Sequence, residues 1–357
     1  MAQLGSQMKH LGMEGPVCLV SSATPKRLLE AVWTSSLEES GYDFSYLLFG
    51  GTSTADEAQR IADEAKKTGA KSLVAVGGGQ LIDSVRAASC LVGGSQDLEV
   101  VSCPTVASTD APCSTLCVMY HGDHSFDEYR LIRRHPTLVL VDTAVIAQAP
   151  RRMLVGGLGD ALSTWFEART VNEAKKKNFL GGMPTQTSTA LANLCYNILI
   201  EDGAAAVQAV DAKAVTPALE RVVEANTLLS GLGFESGGIC VAHSVHNGLT
   251  SQPNHTQYTH GEKVSFGIFT QLVLEGRPQE EIKTILHFCK SVGLPLTLQE
   301  VGVDAKDDKA IREIAERSLV SGESAHNEPF QVTVDMMADA IRAADRMGAL
   351  YHKNQTA

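Results

Sequence analysis

The hydrophobic pattern of this chain changes at Pro150. Before Pro150, short apolar runs rich in β-branched residues alternate with stretches of helical periodicity. After it, the β-branched runs disappear and only helical periodicity remains. Strands that alternate with helices pair in parallel and are connected by crossovers. We therefore predict a parallel-sheet α/β domain at 1–150, followed by an all-helical domain at 151–357.

The elements are predicted from apolar runs, helical spacing and capping signals. Strands are predicted at Val17–Val20, Tyr46–Phe49, Leu73–Val76, Glu99–Cys103 and Thr137–Val141. Helices of the second domain are predicted at about 153–170, 184–201, 214–230, 236–249, 260–275, 279–292, 307–319 and 334–353. In the first domain, Thr54 and Glu57 predict a capping box that opens a helix, and Gly69 predicts its end.

Composition and charge exclude several classes of protein. The 357 residues carry a net charge of −11, and no basic patch is longer than Lys175–Lys177. Nucleic acids and anionic membranes are therefore not expected partners. No apolar run approaches the roughly 20 residues of a membrane span, and the first ten residues lack the apolar core of a signal peptide. The eight cysteines are scattered without a CxxC pair, which predicts reduced thiols in a cytoplasmic protein.

A glycine-rich turn follows a predicted buried strand of the first domain. The sequence runs from the strand into Gly77, Gly78, Gly79 and Gln80, and then into a helix that contains Asp83. Glycines let the backbone approach a phosphate, and the free N–H groups at the start of the helix face it. The turn therefore favours a pyrophosphate site. The alternative is a tight structural turn, since the GxGxxG fingerprint is absent.

The segment after the next strand is rich in hydroxyl groups. It contains Thr105, Ser108, Asp110 and Ser114. Such a loop can hold the ribose and the nicotinamide amide of a dinucleotide, and Asp110 can accept hydrogen bonds from a polyol. The alternative is a hydroxyl-rich surface turn.

Three side chains of the second domain form a candidate metal site. They are Asp160, after a run of glycines, His243, and His260, which follows a loop that contains proline. One carboxylate and two imidazoles leave one position of a Zn²⁺ or Fe²⁺ site open for a substrate. The alternative is that Asp160 caps a helix and the histidines make polar core contacts. A metal together with a dinucleotide indicates hydride transfer at an alcohol.

These motifs occur together, in an order that resembles a known family. From about Leu47 to its end, the sequence is similar to the glycerol dehydrogenases of the iron-containing (group III) alcohol dehydrogenase superfamily. The matching stretches are Gly77–Arg86, Pro104–Tyr120, Val141–Thr143, Gly156–Ala168, Ala218–Gly238, Ala242–Thr250 and His260–Gly267, with looser matches at Ile285–Leu296 and Gly322–Asn327. The resemblance implies a dehydroquinate synthase-like architecture: a Rossmann-like dinucleotide-binding domain, a helical metal- and substrate-binding domain, and a metal site in the cleft between them.

The resemblance also implies roles for individual residues. The zinc ligands of the family fall on Asp160, His243 and His260, and its substrate-contacting aspartate falls on Asp110. His243 is also expected next to the substrate, and His246 is expected either to relay a proton or to support the site. The implied nucleotide contacts are Gly77, Gly78, Gly79, Gln80, Asp83, Thr105, Ser108, Ser114, Leu116 and Tyr120. Members use NAD, oxidise glycerol to dihydroxyacetone, accept related vicinal diols and assemble as homo-octamers.

Three departures from the family pattern are visible, and two of them concern the cofactor. The aspartate that normally ends the first long strand, where it binds the adenosine ribose, is replaced by Ala23, or alternatively by Ser22, with Lys26 and Arg27 nearby. The lysine of the usual GGGK turn is Gln80, and the family's extra N-terminal strand is missing before Leu11. We still expect NAD rather than NADP, because no arginine lies at the end of the strand itself.

Other functions remain open at this level. One is a reductase of another small hydroxycarbonyl compound or of a 2-hydroxy acid, with NAD(P). Another is a degenerate relative that binds metal and phosphate without redox turnover. A lyase of the dehydroquinate synthase type is disfavoured, because no cluster of basic residues lies near Asp160 or His260.

Overall fold

A five-stranded parallel sheet forms the centre of the first part of the chain. The structure is a computed structural model that describes residues 1–92 and 98–355, and the chain divides into two units, Met1–Ala149 and Pro150–Ala357. The strands of the first unit are β1 (Val17–Ser21), β2 (Phe44–Leu48), β3 (Ser72–Gly77), β4 (Glu99–Pro104), β5 (Leu116–Tyr120), β6 (Phe126–Leu131) and β7 (Leu138–Val139). The parallel sheet has the order β2-β1-β3-β4-β7.

Helices cover both faces of this sheet. They are α1 (Leu4–His10), α2 (Ala23–Glu39), α3 (Ala55–Thr68), α4 (Gly79–Val92) and α5 (Thr143–Gln148). Cys18 and Leu73 pack on one face with side chains of α3 and α4, whereas Leu19 and Val74 pack on the other with α1 and α2. Because both faces are buried, the strands are nearly continuous apolar runs, which made them visible in the sequence.

The five predicted strands are all present, with shifted ends. The fifth is shorter than predicted, since only Leu138 and Val139 pair with β4. The sequence missed the antiparallel hairpin of β5 and β6. Strand β6 is largely exposed and carries Asp127 and Glu128 side by side, so it lacks the alternation that marks a half-buried strand.

The predicted capping box at the start of α3 forms only in part. The Thr54 hydroxyl accepts a hydrogen bond from the Glu57 backbone N–H, and the helix ends at Gly69 with a φ of +66°. The Glu57 carboxylate does not return to Thr54. It accepts hydrogen bonds from the Gly50 backbone N–H and from Arg60 instead, and the Thr54 N–H donates to the Thr52 carbonyl oxygen.

The second unit is helical, as predicted, and has no strand among residues 150–355. Its helices are α6 (Arg151–Glu173), α7 (Gln186–Asp211), α8 (Pro217–Glu224), α9 (Ser230–Gly237), α10 (Val241–Leu249), α11 (His260–Leu274), α12 (Gln279–Val292), α13 (Asp308–Arg317) and α14 (Val334–Gln355). A π-helical turn joins α8 to α9. The helix predicted from residue 236 starts only at Val241, because Gly238 has a φ of +97° and interrupts the helical path. Among the described residues, no helix combines the length and apolar composition that crossing a bilayer requires.

Candidate functional site

Helices α6 and α11 cross in direct backbone contact. A Cβ atom at Gly159 would lie 2.3 Å from the Gly261 carbonyl oxygen, and one at Gly261 would lie 1.7 Å from the Gly156 carbonyl oxygen. Only glycines permit this approach. It brings the middle of α6, where Asp160 lies, against the first residue of α11, His260.

Three side chains converge at this crossing. Asp160 Oδ1 lies 3.1 Å from His260 Nε2 and 3.6 Å from His243 Nε2, which comes from α10. One ligand atom from each of the three residues lies within 4.8 Å of the others. Asp160 is not a helix cap, since it lies inside α6. The arrangement could hold one metal ion, and all three residues belong to the second unit.

The electrostatics of this cluster suit a cation. Burial disfavours the charged form of Asp160, but His260 and His243 outweigh it and hold the pKa of Asp160 well below its usual range. Burial likewise opposes charge on His243, but the Glu167 and Asp160 carboxylates raise the pKa of His243 well above its usual value. Two buried carboxylates next to two imidazoles therefore attract positive charge, and one carboxylate with two imidazoles is a donor set for Zn²⁺ or Fe²⁺.

Glu167 supports the cluster and was missed by the sequence analysis. It is fully buried on α6, and its Oε2 lies 2.6 Å from His243 Nδ1. Its Oε1 accepts hydrogen bonds from the backbone N–H groups of Cys240 and His243. A carboxylate on the far nitrogen of an imidazole fixes the ring and its tautomer. Its spacing from Asp160 could have identified it in the sequence, since Glu167 lies two helical turns after Asp160 on the same face of the helix.

His246 contacts the cluster without belonging to it. Its ring is 3% exposed, with Nε2 at 3.0 Å from His260 Nδ1 and Nδ1 at 3.0 Å from Asn247 Oδ1. Burial lowers the pKa of His246 well below its usual value, and the nearby Lys263 ammonium adds to this effect. The two distances show that each ring nitrogen of His246 contacts a neighbouring side chain.

The glycine turn of the first unit lies at the carboxyl end of the sheet. Strand β3 ends at Gly77 and α4 begins at Gly79, while Thr105 donates its backbone N–H to the Gly77 carbonyl oxygen at 3.0 Å. A Cβ at Gly79 would lie 2.7 Å from Thr109 Oγ1, and this hydroxyl oxygen is buried without a hydrogen-bond partner. A helix start, close backbone approach and an unpaired hydroxyl together fit a bound dinucleotide.

The remaining residues predicted to contact the nucleotide differ in exposure. Asp83 is buried, accepts a hydrogen bond from the Val118 backbone N–H, and lies 3.5 Å from Arg86. Burial raises the pKa of Asp83 to about 7. Ser114 is also buried and donates its hydroxyl to the Leu116 carbonyl. The Asp83 contact connects α4 to the hairpin, and the Ser114 contact is local to the start of β5. Cofactor contacts for Asp83 and Ser114 stay predictions.

Further predicted contacts lie around the same turn. Gln80 accepts a hydrogen bond from the Ser53 backbone N–H, and Tyr120 donates its own backbone N–H to the Ser53 carbonyl oxygen. Ser108 and Asp110 are half-buried in the loop after β4, and Leu116 is buried at the start of β5.

The position that lacks the ribose-binding acid is exposed. Strand β1 ends at Ser21, and Ala23 is the first residue of α2. The Lys26 ammonium lies 3.8 Å from the centre of the Tyr46 ring. Lys26 therefore already has a partner within the first unit.

Comparison with known proteins gives consistent matches over the chain. A model of the iron-containing alcohol dehydrogenase family matches residues 1–150. A glycolaldehyde reductase of Halobacterium salinarum is 44% identical over 97% of this chain and 93% of its own length. A glycerol dehydrogenase of Thermotoga maritima is 45% identical over 87% of this chain and 83% of its own. The crystal structure of a glycerol dehydrogenase from Schizosaccharomyces pombe superposes with a TM-score of 0.92 at 32% identity, and covers 99% of this chain and 90% of its own.

Proposed function

We propose that this chain, which belongs to the iron-containing alcohol dehydrogenase family, oxidises a small vicinal diol to the corresponding α-hydroxycarbonyl compound. It is an NAD-dependent dehydrogenase. The reaction takes a hydride from the carbinol carbon and a proton from its hydroxyl, and it yields NADH. The observation that carries the proposal is the convergence of Asp160, His243 and His260 on one buried point.

In this proposal, Asp160, His243 and His260 bind a divalent metal, Zn²⁺ or Fe²⁺. Such an ion supplies Lewis-acid chemistry at the substrate oxygen. Asp160 contributes the negative charge of the site, and Glu167 holds the His243 ring in place. The described residues supply three ligands here, which leaves one position open for a substrate next to His243.

NAD is the proposed hydride acceptor, and it would be held at the carboxyl end of the sheet of the first unit. Gly77, Gly78 and Gly79 let the pyrophosphate approach the start of α4. The unpaired Thr109 hydroxyl and the neighbouring loop would hold polar groups of the dinucleotide. The other proposed contacts are Gln80, Asp83, Thr105, Ser108, Ser114, Leu116 and Tyr120.

Asp110 is the proposed substrate-orienting residue. It lies half-buried in the loop that follows β4. A carboxylate accepts hydrogen bonds from neighbouring hydroxyls of a polyol, and such charge-assisted bonds are stronger than neutral ones. Asp110 would thus favour substrates that carry a second hydroxyl next to the reacting carbinol carbon.

The activities of the relatives support this substrate class. A glycerol dehydrogenase and a glycolaldehyde reductase both act on a carbon whose neighbour carries a hydroxyl. Glycerol oxidation to dihydroxyacetone is our first candidate. Reduction of glycolaldehyde is the second, because that relative matches 97% of this chain.

The test is a substrate panel that follows metal analysis. Glycerol, 1,2-propanediol, dihydroxyacetone, glycolaldehyde and a 2-hydroxy acid would be assayed with NAD(H) and NADP(H) through absorbance of the reduced cofactor. Highest kcat/KM for a diol or its α-hydroxycarbonyl product supports the proposal. Preference for the 2-hydroxy acid would refute the substrate class, and no turnover with any compound would favour a non-redox relative.

The metal is tested separately by histidine variants. His243→Ala and His260→Ala should lose bound metal and most turnover while the fold survives. His287→Ala is the control, because His287 is exposed on α12 and its Nδ1 lies 3.1 Å from the Tyr351 hydroxyl, outside the cluster. Full turnover by a metal-free His260→Ala protein would refute the metal-dependent reaction.

Compartment and assembly complete the proposal. All eight cysteines are free and seven are buried, which suits a reducing compartment such as the cytoplasm. We also propose a homo-oligomer, which sedimentation analysis of the purified protein would test; a monomer at micromolar concentration would contradict it.

A further inference from the structure

A chain of hydrogen bonds runs from His260 through the interior of the second unit. His260 Nδ1 lies 3.0 Å from His246 Nε2, and His246 Nδ1 lies 3.0 Å from Asn247 Oδ1. Asn247 donates Nδ2 to Glu323 Oε2 at 3.0 Å, and Glu323 forms an ion pair with Arg317. His246, Asn247 and Glu323 are 3%, 1% and 8% exposed, so water competes little for these bonds.

The ion pair at the Glu323 end determines which group donates and which accepts in each of these hydrogen bonds. Glu323 is paired with a guanidinium, so its carboxylate can only accept. Asn247 must then donate with its amide nitrogen and present its oxygen to His246. That oxygen accepts only, so the proton of His246 resides on Nδ1. A neutral His246 therefore offers a bare Nε2, which must accept from Nδ1–H of His260.

These hydrogen bonds also determine the state of Nε2, the other ring nitrogen of His260. With its proton on Nδ1, the neutral ring has a bare Nε2, and this is the atom that lies 3.1 Å from Asp160 Oδ1 in the candidate metal cluster. We infer that His246, Asn247 and Glu323 are positioning residues that hold His260 in the orientation and tautomer that bind the metal. This inference rests on the proposed role of His260 as a ligand.

The same geometry disfavours a proton relay through His246. A relay would have to pass its proton from His246 to the next group outward, and that group is the Asn247 amide oxygen. An amide has no readily exchanged proton to hand on to Glu323, so the path stops there. The chain therefore serves to orient His260.

The test measures zinc affinity by competition with a chromophoric chelator. It compares variants that keep the hydrogen-bond acceptor at position 247 or 323 with variants that remove it. Asn247→Leu leaves the Nδ1–H of His246 unpaired and should weaken zinc binding about tenfold to a hundredfold. Glu323→Leu should weaken it by about tenfold. Glu323→Gln keeps an acceptor oxygen for Asn247 and should stay within about threefold of wild type.

A matched control separates positioning from packing. Ser244 lies on α10 between His243 and His246, and its hydroxyl accepts a hydrogen bond from the Ala325 backbone N–H at 2.8 Å. Ser244→Ala should lower the melting temperature and leave zinc affinity unchanged. Folding of each variant would be checked by circular dichroism, and the Glu323 pair keeps the test informative if Asn247→Leu does not fold.

The outcomes distinguish this inference from the proposed function. Suppose that Glu323→Gln and Glu323→Leu lose zinc affinity equally and in proportion to their loss of stability. Packing alone would then explain the loss, and the inference would be overturned. Unchanged zinc affinity in both Leu variants, with a reduced solvent isotope effect on turnover, would mean a relay and also overturn it. If His260→Ala itself binds zinc as tightly as wild type, the proposed metal site fails instead.

Discussion

Gly261→Ala tests whether the backbone contact between α6 and α11 builds the candidate metal site. Gly261 directly follows His260 at the start of α11. A Cβ atom there would lie 1.7 Å from the Gly156 carbonyl oxygen and 2.9 Å from the Asp160 backbone nitrogen. Both are main-chain atoms of α6 and cannot rotate away. Ordinary contact begins near 3.4 Å, so the helices must separate by about 1.7 Å along this line.

Two effects of opposite sign determine the change in stability. In an open helix, replacing glycine by alanine stabilises by about 1 kcal/mol. Overpacking costs about 1–3 kcal/mol, and more where the backbone must move. The clash should win, with a net loss of about 2 kcal/mol and a fall in Tm of roughly 4–8 °C. Because a displacement of about 1 Å can cost a hundredfold in rate, turnover should fall by at least that factor.

The assay combines thermal melting, zinc competition and turnover. Gly156→Ala is the control, since its nearest contact is the Thr259 hydroxyl oxygen at 3.0 Å, a side-chain atom that has to shift by only a few tenths of an ångström. It should change stability by less than about 1 kcal/mol. A Gly261→Ala protein that melts at or above the wild-type temperature and binds zinc normally would refute the reasoning.

Three further predictions concern a buried acid, the substrate and the cofactor. Burial, with the Glu275 charge, raises the pKa of Glu328 to about 8. The stability that its proton contributes is therefore full below about pH 4.5 and is lost as the pH rises through about 8. Glu328→Gln should be more stable than wild type at pH 9 and differ little from it near pH 4.5 in urea denaturation, and a stability difference that does not change with pH would contradict this. Asp110→Asn should lower kcat/KM for glycerol about tenfold to a hundredfold, from a lost charge-assisted bond of about 1.5–3 kcal/mol, with the KM for NAD unchanged; equal loss for cofactor and substrate would count against it. Ala23→Asp should tighten NAD and penalise NADP, and no change in either dissociation constant would show that the ribose is held elsewhere.

The sequence predicted the elements whose burial is complete. Strands β1 and β3 are buried along their whole length and are mostly apolar. The amphipathic face of α3 repeats at helical spacing, so the local pattern sufficed. The hairpin of β5 and β6 is stabilised by pairing between two strands, one of them largely exposed. Its apolar content alone therefore did not identify it.

The sequence by itself determined the five parallel strands of the first unit, the helical character of the second, the glycine turn after β3 and the identity of the three candidate metal-binding side chains. Only the tertiary structure decided which groups surround them. Glu167 reaches His243 across 76 positions of the chain, and Asn247 reaches Glu323 across another 76. Such contacts depend on where helices cross, and the crossing of α6 and α11 depends on glycines that face each other 100 positions apart in the chain or more. Local periodicity reports which face of a helix is buried, but it carries no information about which distant residue packs against that face.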